Sequence, residues 1–86
     1  DPVTAAATAA EWYSTALGYS DLTSSEKPLV LLNRGEAYEI QNKLDEALAD
    51  YQKAADLGGD SKALAMLQVG RAYELKKDTA KAIETY

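Results

Sequence analysis

Apolar residues along this chain recur at steps of three and four positions, which is the spacing of one face of an α-helix. The pattern predicts about five helices, over residues 3–18, 26–41, 44–57, 61–76 and from residue 79 onward. No segment alternates apolar and polar residues as a half-buried strand does. We therefore expect an all-α fold.

Turn-forming residues separate the predicted helices. Residues 18–25 are rich in Ser, Thr, Gly and Asp and predict a loop that ends at Ser25, the expected N-cap of the second helix. Asn42-Lys43 predicts a tight turn, because Asn tolerates the left-handed conformation that such a turn often requires. The remaining predicted signals are Gly58-Gly59 as a helix end, Asp60 or Ser61 as a cap, and a second tight turn at Lys77-Asp78.

Two segments carry the same residues at the same spacing. Each member of the first set recurs 35 positions later in the second, the two sets being Gly35, Tyr38, Ala47 and Tyr51, and Gly70, Tyr73, Ala82 and Tyr86. A period between roughly 20 and 50 residues indicates one supersecondary unit stacked on copies of itself. Stacked repeats present an extended surface rather than a closed pocket, and such surfaces usually bind other proteins.

The repeated unit resembles the tetratricopeptide repeat, a helix-turn-helix unit whose helix A and helix B pack through small residues. One complete copy carries Leu31, Gly35, Tyr38, Ala47, Tyr51, Ala54 and Leu57, and a second carries Met66, Gly70, Tyr73, Ala82, Ile83 and Tyr86. The resemblance implies antiparallel helix-turn-helix repeats stacked as a right-handed α-solenoid. Within the unit, we expect Gly35 to face Ala47, while Tyr38 and Tyr51 fill the space on either side.

The resemblance divides a single domain, residues 1–86, into three parts. Residues 26–59 form a complete repeat, and residues 60–86 form a repeat truncated in helix B. Residues 1–19 match only helix B, because the spacing of Ala9, Tyr13, Ala16 and Leu17 equals that of Ala47, Tyr51, Ala54 and Ala55. The sequence starts at Asp1 and stops within a helical pattern, so we expect a fragment whose open ends favour homo-oligomers.

Charge and hydropathy narrow the classes of partner. Nine Lys and Arg residues against fourteen Asp and Glu residues leave a net charge of −5, which disfavours binding to nucleic acid or to an anionic membrane. No apolar run reaches the 18 or so residues of a membrane span, so we expect a soluble chain without membrane insertion. Cysteine is absent, and its absence does not identify a compartment.

The residue types also limit which catalytic and metal sites the chain can form. With no His and no Cys, the common zinc sites and the Ser-His-Asp and Cys-His nucleophiles are excluded. Carboxylate pairs such as Glu36 and Glu39 fit solvated helix faces better than an acid/base couple. Asp45, Glu46 and Asp50 are expected on the outer face of the third helix, near Lys53. We predict no enzyme, no cofactor and no metal site.

The resemblance also indicates where a partner would bind, since A helices line a concave groove in tetratricopeptide arrays. The matching positions are Leu29, Leu32, Asn33, Glu36, Glu39 and Ile40 on the second helix, and Leu64, Leu67, Gln68, Arg71, Glu74 and Leu75 on the fourth. Three carboxylates are opposed there by one guanidinium, so we expect a net acidic groove with an apolar floor. A protein or peptide with a basic or amphipathic segment suits such a groove.

One groove residue resembles a specific ligand site. Asn33 matches the Asn that, in chaperone-binding members, hydrogen-bonds the C-terminal carboxylate of the partner. The basic pair of that clamp falls here on Leu64 and Gln68, which argues against carboxylate capture.

Two other readings of function remain open. One is structural assembly, in which the open ends of the stack mediate homotypic packing and the groove stays empty. The other is RNA recognition, because pentatricopeptide repeats have a similar period; the single Arg71 among several groove carboxylates disfavours it. Two environments are also possible for Trp12: it packs against a missing helix A or a partner, or it is partly exposed to solvent.

Overall fold

The computed structural model describes residues 1–76. This part contains four α-helices, α1 (Pro2–Leu17), α2 (Glu26–Ile40), α3 (Leu44–Leu57) and α4 (Lys62–Leu75), and no strand. A turn of 3-10 helix, Gly59–Ser61, leads into α4. The predicted all-α class is confirmed, and the predicted bounds agree to within one residue at nearly every helix end. The predicted turn at Lys77-Asp78 and the fifth helix lie outside the described residues.

The N-terminus of α2 is capped by a different residue from the one expected. Ser25 has helical dihedral angles and makes no side-chain capping bond. Thr23 caps instead: its Oγ1 accepts from the Glu26 backbone N–H at 3.1 Å, and its own backbone N–H donates to Glu26 Oε1 at 3.4 Å. This reciprocal pair is a capping box. Ser61 also precedes its helix without a side-chain cap, because the 3-10 turn carries the chain into α4.

The turn between α2 and α3 is the one that Asn42 predicted. Asn42 has φ of 61°, in the left-handed region. The backbone N–H groups of Asn42 and Lys43 donate to the Glu39 and Tyr38 carbonyls, each at 2.8 Å, so carbonyls at the end of α2 are satisfied. Because the turn is this short, α2 and α3 lie antiparallel and pack side by side.

The helices pack in sequence order, α1 on α2, α2 on α3 and α3 on α4. The main core lies between α2, α3 and α4, and its fully buried members are Leu31, Ala47, Tyr51, Ala54, Ala65 and Ala72. A smaller cluster of Ala6, Ala10 and Ala37 joins α1 to α2. Small residues therefore dominate the contacts, which lets the helices approach closely.

Gly35 makes room for the aromatic ring of Tyr51. A Cβ atom at this position would lie 2.5 Å from Tyr51 Cε1 and 2.8 Å from Cδ1. The nearest neighbour of Gly35 across the helix pair is Tyr51, and the expectation that Gly35 faces Ala47 stays a prediction. The absent side chain is what allows the fully buried Tyr51 ring to lie against the backbone of α2.

Within the part of the chain that the structure describes, no helix has the length and apolar character needed to cross a membrane.

Candidate functional site

The surface residues of α2 and α4 come together although α3 lies between the two helices in sequence. Arg71 Nη2 donates to both Glu39 carboxylate oxygens, at 2.9 and 2.8 Å, and Gln68 Nε2 donates to Glu36 Oε1 at 3.5 Å. Both contacts join α2 to α4. We call this surface the α2–α4 face, and it consists of Leu29, Asn33, Glu36, Glu39, Ile40, Leu64, Leu67, Gln68, Arg71, Glu74 and Leu75.

Several aliphatic side chains on this face are about half exposed. Five of them expose about half of their surface, between 49% and 55%, namely Leu29, Ile40, Leu64, Leu67 and Leu75. The opposite sides of α2 and α4 supply the core, through residues such as Leu31 and Ala72. These two helices are therefore apolar on more than one side, which is a feature of helices that bind partners.

Leu32 does not belong to this face. Its side chain is only 4% exposed and lies in the main core. At about 100° per residue, Leu29, Asn33, Glu36 and Ile40 project in nearly one direction, whereas Leu32 points about 60° away from Leu29. That rotation directs it toward α3, so its assignment to the groove is corrected.

Glu39 connects the core to the surface. Its Oε1 atom accepts from the buried Tyr51 hydroxyl at 2.9 Å, while both carboxylate oxygens accept from Arg71. Burial raises the pKa of Tyr51, and the hydrogen bond to Glu39 raises it further. Burial lowers the pKa of Arg71, but the charge and hydrogen bonds of Glu39 outweigh that effect and the net pKa is raised. The Glu39 carboxylate thus holds α2, α3 and α4 together.

This pairing changes the electrostatics expected from sequence. Arg71 was expected to oppose Glu36, Glu39 and Glu74 together, but it forms an ion pair with Glu39. Within residues 1–76, Glu36 and Glu74 form no ion pair, and both are exposed. The negative charge of the α2–α4 face is therefore carried by these two carboxylates.

Asn33 lies at the edge of the face that borders α1. It is exposed and lines a cleft between α1 and α2 together with Tyr13 and Glu36. The Gln68 amide, which takes the place of one cation of the carboxylate clamp, donates to Glu36 instead. The arrangement gives Asn33 no cationic neighbour at these clamp positions, so capture of a carboxylate remains disfavoured.

A buried ion pair was missed at the sequence level. Asp50 was expected on the solvated face of α3, but it is 5% exposed and accepts from Arg34 Nε and Nη2 at 2.8 and 2.7 Å. Arg34 also donates to Ser14 Oγ at 3.0 Å and lies 5.6 Å from the Tyr38 ring centroid. The hydrogen bond to Asp50 raises the pKa of Arg34 against the opposing effect of burial. Helical spacing could have predicted the burial of Asp50, since residues 47, 50, 51 and 54 share one face of α3.

The described carboxylates offer no evident metal site. No group of three Asp or Glu side chains in residues 1–76 is arranged to hold a metal ion. The two least exposed carboxylates of the α2–α3 contact, Asp50 and Glu39, are already engaged by Arg34 and by Tyr51 with Arg71.

Comparison with known proteins decides the family. A family model described as tetratricopeptide repeat matches residues 27–86, which is the larger part of the chain. The chain belongs to the tetratricopeptide repeat family. No curated protein matches the sequence significantly, and no solved structure does. Tetratricopeptide repeats generally mediate protein–protein interaction or scaffolding and are typically not enzymes. The division into residues 1–19, 26–59 and 60–86 stays a prediction.

Proposed function

We propose that this chain is a protein-interaction module that binds a peptide or a helix of a partner protein on the α2–α4 face. The observation that carries the proposal is the presence of five half-exposed aliphatic side chains on two helices that the Glu39–Arg71 ion pair joins. Covering the exposed half of each side chain is worth about 1 kcal/mol. The ion pair holds the two helices at a defined separation, so a ligand meets a preformed surface.

Charge selects the kind of partner. Association itself costs about 4 kcal/mol or more in lost freedom, which offsets most of the gain from five half-buried aliphatic residues. Additional electrostatic attraction is therefore needed, and the carboxylates Glu36 and Glu74, which form no ion pair within residues 1–76, attract a basic or amphipathic segment. Arg71 is the cation of this face and is held by Glu39, which leaves RNA phosphates little to bind.

The test uses two designed helical peptides with the same apolar face. One carries Lys at its solvent positions and the other carries Glu. We expect the Lys peptide to bind more tightly, with an affinity that falls as salt rises. Leu67→Asp should weaken it by at least about tenfold, because a charge then replaces a central apolar contact.

The matched control for this substitution is Ala49→Asp, which places the same charge at an exposed position of α3. Ala49→Asp should leave binding unchanged. Equal affinities for Leu67→Asp and the parent chain would contradict the proposal. Sedimentation equilibrium of the chain without peptide should accompany the titration, since a concentration-dependent mass that Leu67→Asp abolishes would show that a second copy occupies the face instead.

A further inference from the structure

The α2–α4 face repeats two of its aliphatic positions from one repeat to the next. The residues are Leu29 and Ile40 of α2, at 50% and 55% exposure, and their equivalents 35 positions later, Leu64 and Leu75 of α4, both at 49%. Because α2 packs between α1 and α3, this exposure is a property of the repeat position. Leu67 is not one of the four, since its equivalent Leu32 is buried in the main core.

Eleven residues separate the two aliphatic positions on each helix. At about 1.5 Å and 100° per residue, eleven residues advance about 16 Å and turn the side chain by only about 20°. Both contacts between α2 and α4 join residues 32 positions apart, 36 with 68 and 39 with 71, so the two helices run in the same direction. The four side chains therefore form two apolar ends, one of Leu29 and Leu64 and the other of Ile40 and Leu75.

A carboxylate without an ion pair lies between the two apolar ends. Glu36 follows Leu29 by seven residues and projects within about 20° of it. Within residues 1–76, Glu36 accepts from Gln68 at 3.5 Å and forms no ion pair. Arg71 takes the equivalent position in α4, but it is paired with Glu39. A partner that covers the face must supply a cation at its centre, because the Glu36 carboxylate would otherwise lose its hydration without compensation.

The distance between the apolar ends favours a helical partner over an extended one. An extended segment rises about 3.3 Å per residue and covers about 16 Å in five residues, and an odd number of steps puts the two side chains on opposite sides. A helix places residues i and i+11 on the same side at the required separation. An antiparallel orientation also places each end of the partner helix beside the ends of α2 and α4 that carry the opposite partial charge.

We propose that the α2–α4 face binds one helix of a different protein, with aliphatic residues at positions i and i+11 and Lys or Arg at i+4. The first aliphatic residue contacts Ile40 and Leu75. The cation pairs with Glu36, which precedes Ile40 by four residues. The second aliphatic residue contacts Leu29 and Leu64. This pattern rests on the proposed function of the face and adds to it the conformation, the spacing and the direction of the partner.

The helices of this chain do not carry the pattern themselves. α1 contains no Lys or Arg, and in α2, α3 and α4 no cation stands four residues after one aliphatic residue and seven residues before another. Arg34, for example, follows Val30 by four residues, but Gln41 stands seven residues after it. The Arg34 side chain is also bound to the buried Asp50. A different protein therefore suits the face better than a second copy does.

The experiment compares three helical peptides built on one host rich in Ala and Gln. The first has Leu at i and i+11 and Lys at i+4, the second has its second Leu moved to i+7, and the third has Glu in place of Lys. An NMR titration of the isotope-labelled chain measures each affinity. We expect the first peptide to bind on the order of tenfold more tightly than the second, which reaches only one apolar end. It should bind on the order of fivefold more tightly than the third.

Two pairs of chain variants locate the contacts. Glu36→Gln should remove most of the preference for Lys over Glu, whereas the matched control Glu74→Gln should keep it, because Glu74 projects about 80° away from Leu64. Leu29→Ser should weaken the first peptide on the order of fivefold and leave the second unchanged, whereas Ile40→Ser should weaken both. Circular dichroism verifies that these exposed-site variants stay folded.

The outcomes separate this pattern from the proposed function. Equal affinities of the first and second peptides, with both weakened by Ile40→Ser, would overturn the spacing and leave binding at the face in place. Equal effects of Glu36→Gln and Glu74→Gln would overturn the cation contact, because net charge alone would then explain the preference. If none of the three peptides binds although the Lys peptide of the proposed-function test does, the pattern alone is overturned. If that peptide fails as well, both proposals are wrong.

Discussion

α1 and α3 carry the same spacing of small and aromatic residues, yet the structure buries them to different depths. Ala47, Tyr51 and Ala54 of α3 are fully buried, whereas Ala9, Tyr13 and Ala16 of α1 are each half-buried. α3 is packed between α2 and α4, while α1 packs mainly on α2. The shared residues therefore make a helix suitable for packing on two sides, and a neighbour on each side is needed to bury them.

The two helices differ most at one pair of equivalent positions. Asp50 of α3 is buried by its ion pair with Arg34, whereas Trp12 of α1 has three-quarters of its surface exposed. A buried charge requires its partner at hydrogen-bond distance, and that requirement fixes how α2 meets α3. Trp12 imposes no such requirement on its surroundings, because an exposed aromatic ring lacks the desolvation penalty of a buried charge.

The largest expected difference is between the two equivalent tyrosines. Tyr51→Ala should lower the free energy of unfolding by roughly 3 to 5 kcal/mol, because it leaves a cavity in the main core. Tyr13→Ala should lower it by about 1 to 2 kcal/mol, since its ring is already partly exposed. Urea unfolding of both variants measures the difference. Equal losses would mean that α1 and α3 contribute alike and that the comparison fails.

The second difference concerns the positions of Asp50 and Trp12. Asp50→Asn should lower the free energy of unfolding by about 2 kcal/mol, because the bidentate hydrogen bond to a charged Arg34 is weakened. Trp12→Ala should stay within about 0.5 kcal/mol of the parent chain. Thermal unfolding of the two variants tests this, and a large loss for Trp12→Ala would show that the exposed ring stabilises α1 after all.

The glycine that admits Tyr51 extends the comparison, because none of the glycines whose surroundings the structure describes lies against the Tyr13 ring. Gly35→Ala should lower the free energy of unfolding by about 1 kcal/mol. The crowding of Tyr51 costs roughly 1 to 3 kcal/mol, and the better helix propensity of Ala returns about 1 kcal/mol. In a Tyr51→Leu background the same change should be neutral or stabilising, as a double-mutant cycle would measure. If the effects of the two substitutions were additive, the cost of Gly35→Ala would not arise from its contact with Tyr51.

The last expected effect depends on pH. The pKa of Tyr51 is raised in the folded chain, so its stabilising contribution is complete below the ordinary tyrosine pKa of about 10 and is lost as pH rises above that value. Between about pH 9 and 11, the free energy of unfolding should then fall by about 1.4 kcal/mol more than in a Tyr51→Phe chain. Chemical unfolding of both chains from about pH 9 to 11 tests this. Parallel curves would show that Tyr51 ionises in the folded state as readily as in the unfolded one.

Local signals predicted the helices well. The bounds of α3 and the left-handed turn at Asn42 depend on residues next to each other in sequence, and both predictions are confirmed. The prediction that Ser25 caps α2 was wrong, and the reason is also local. Thr23 and Glu26 form hydrogen bonds with each other, and Ser25 has helical dihedral angles. A search for the capping-box spacing would have found it.

The candidate site was predictable only in part. The family resemblance placed the exposed aliphatic residues of α2 and α4 on one face, but it also assigned Leu32 to that face, and the charge pattern assigned Asp50 to the solvent. Helical spacing predicts which residues point in the same direction from a helix. It does not predict how many of them the neighbouring helix covers. The binding role of the face remains a proposal, which the Leu67→Asp and Ala49→Asp pair tests.

The helices, the turns and the repeat could be predicted from the amino-acid sequence, because they depend on propensities and spacings within a few residues or one period. The contacts of Glu39 with Tyr51 and Arg71, and of Arg34 with Asp50, became visible only in the folded chain. These contacts connect residues 12 to 32 positions apart, and side chains with several rotatable bonds can reach alternative partners from the same helix positions. The packing of the helices selects among these partners, so the ion pairs follow from tertiary packing rather than from the sequence pattern.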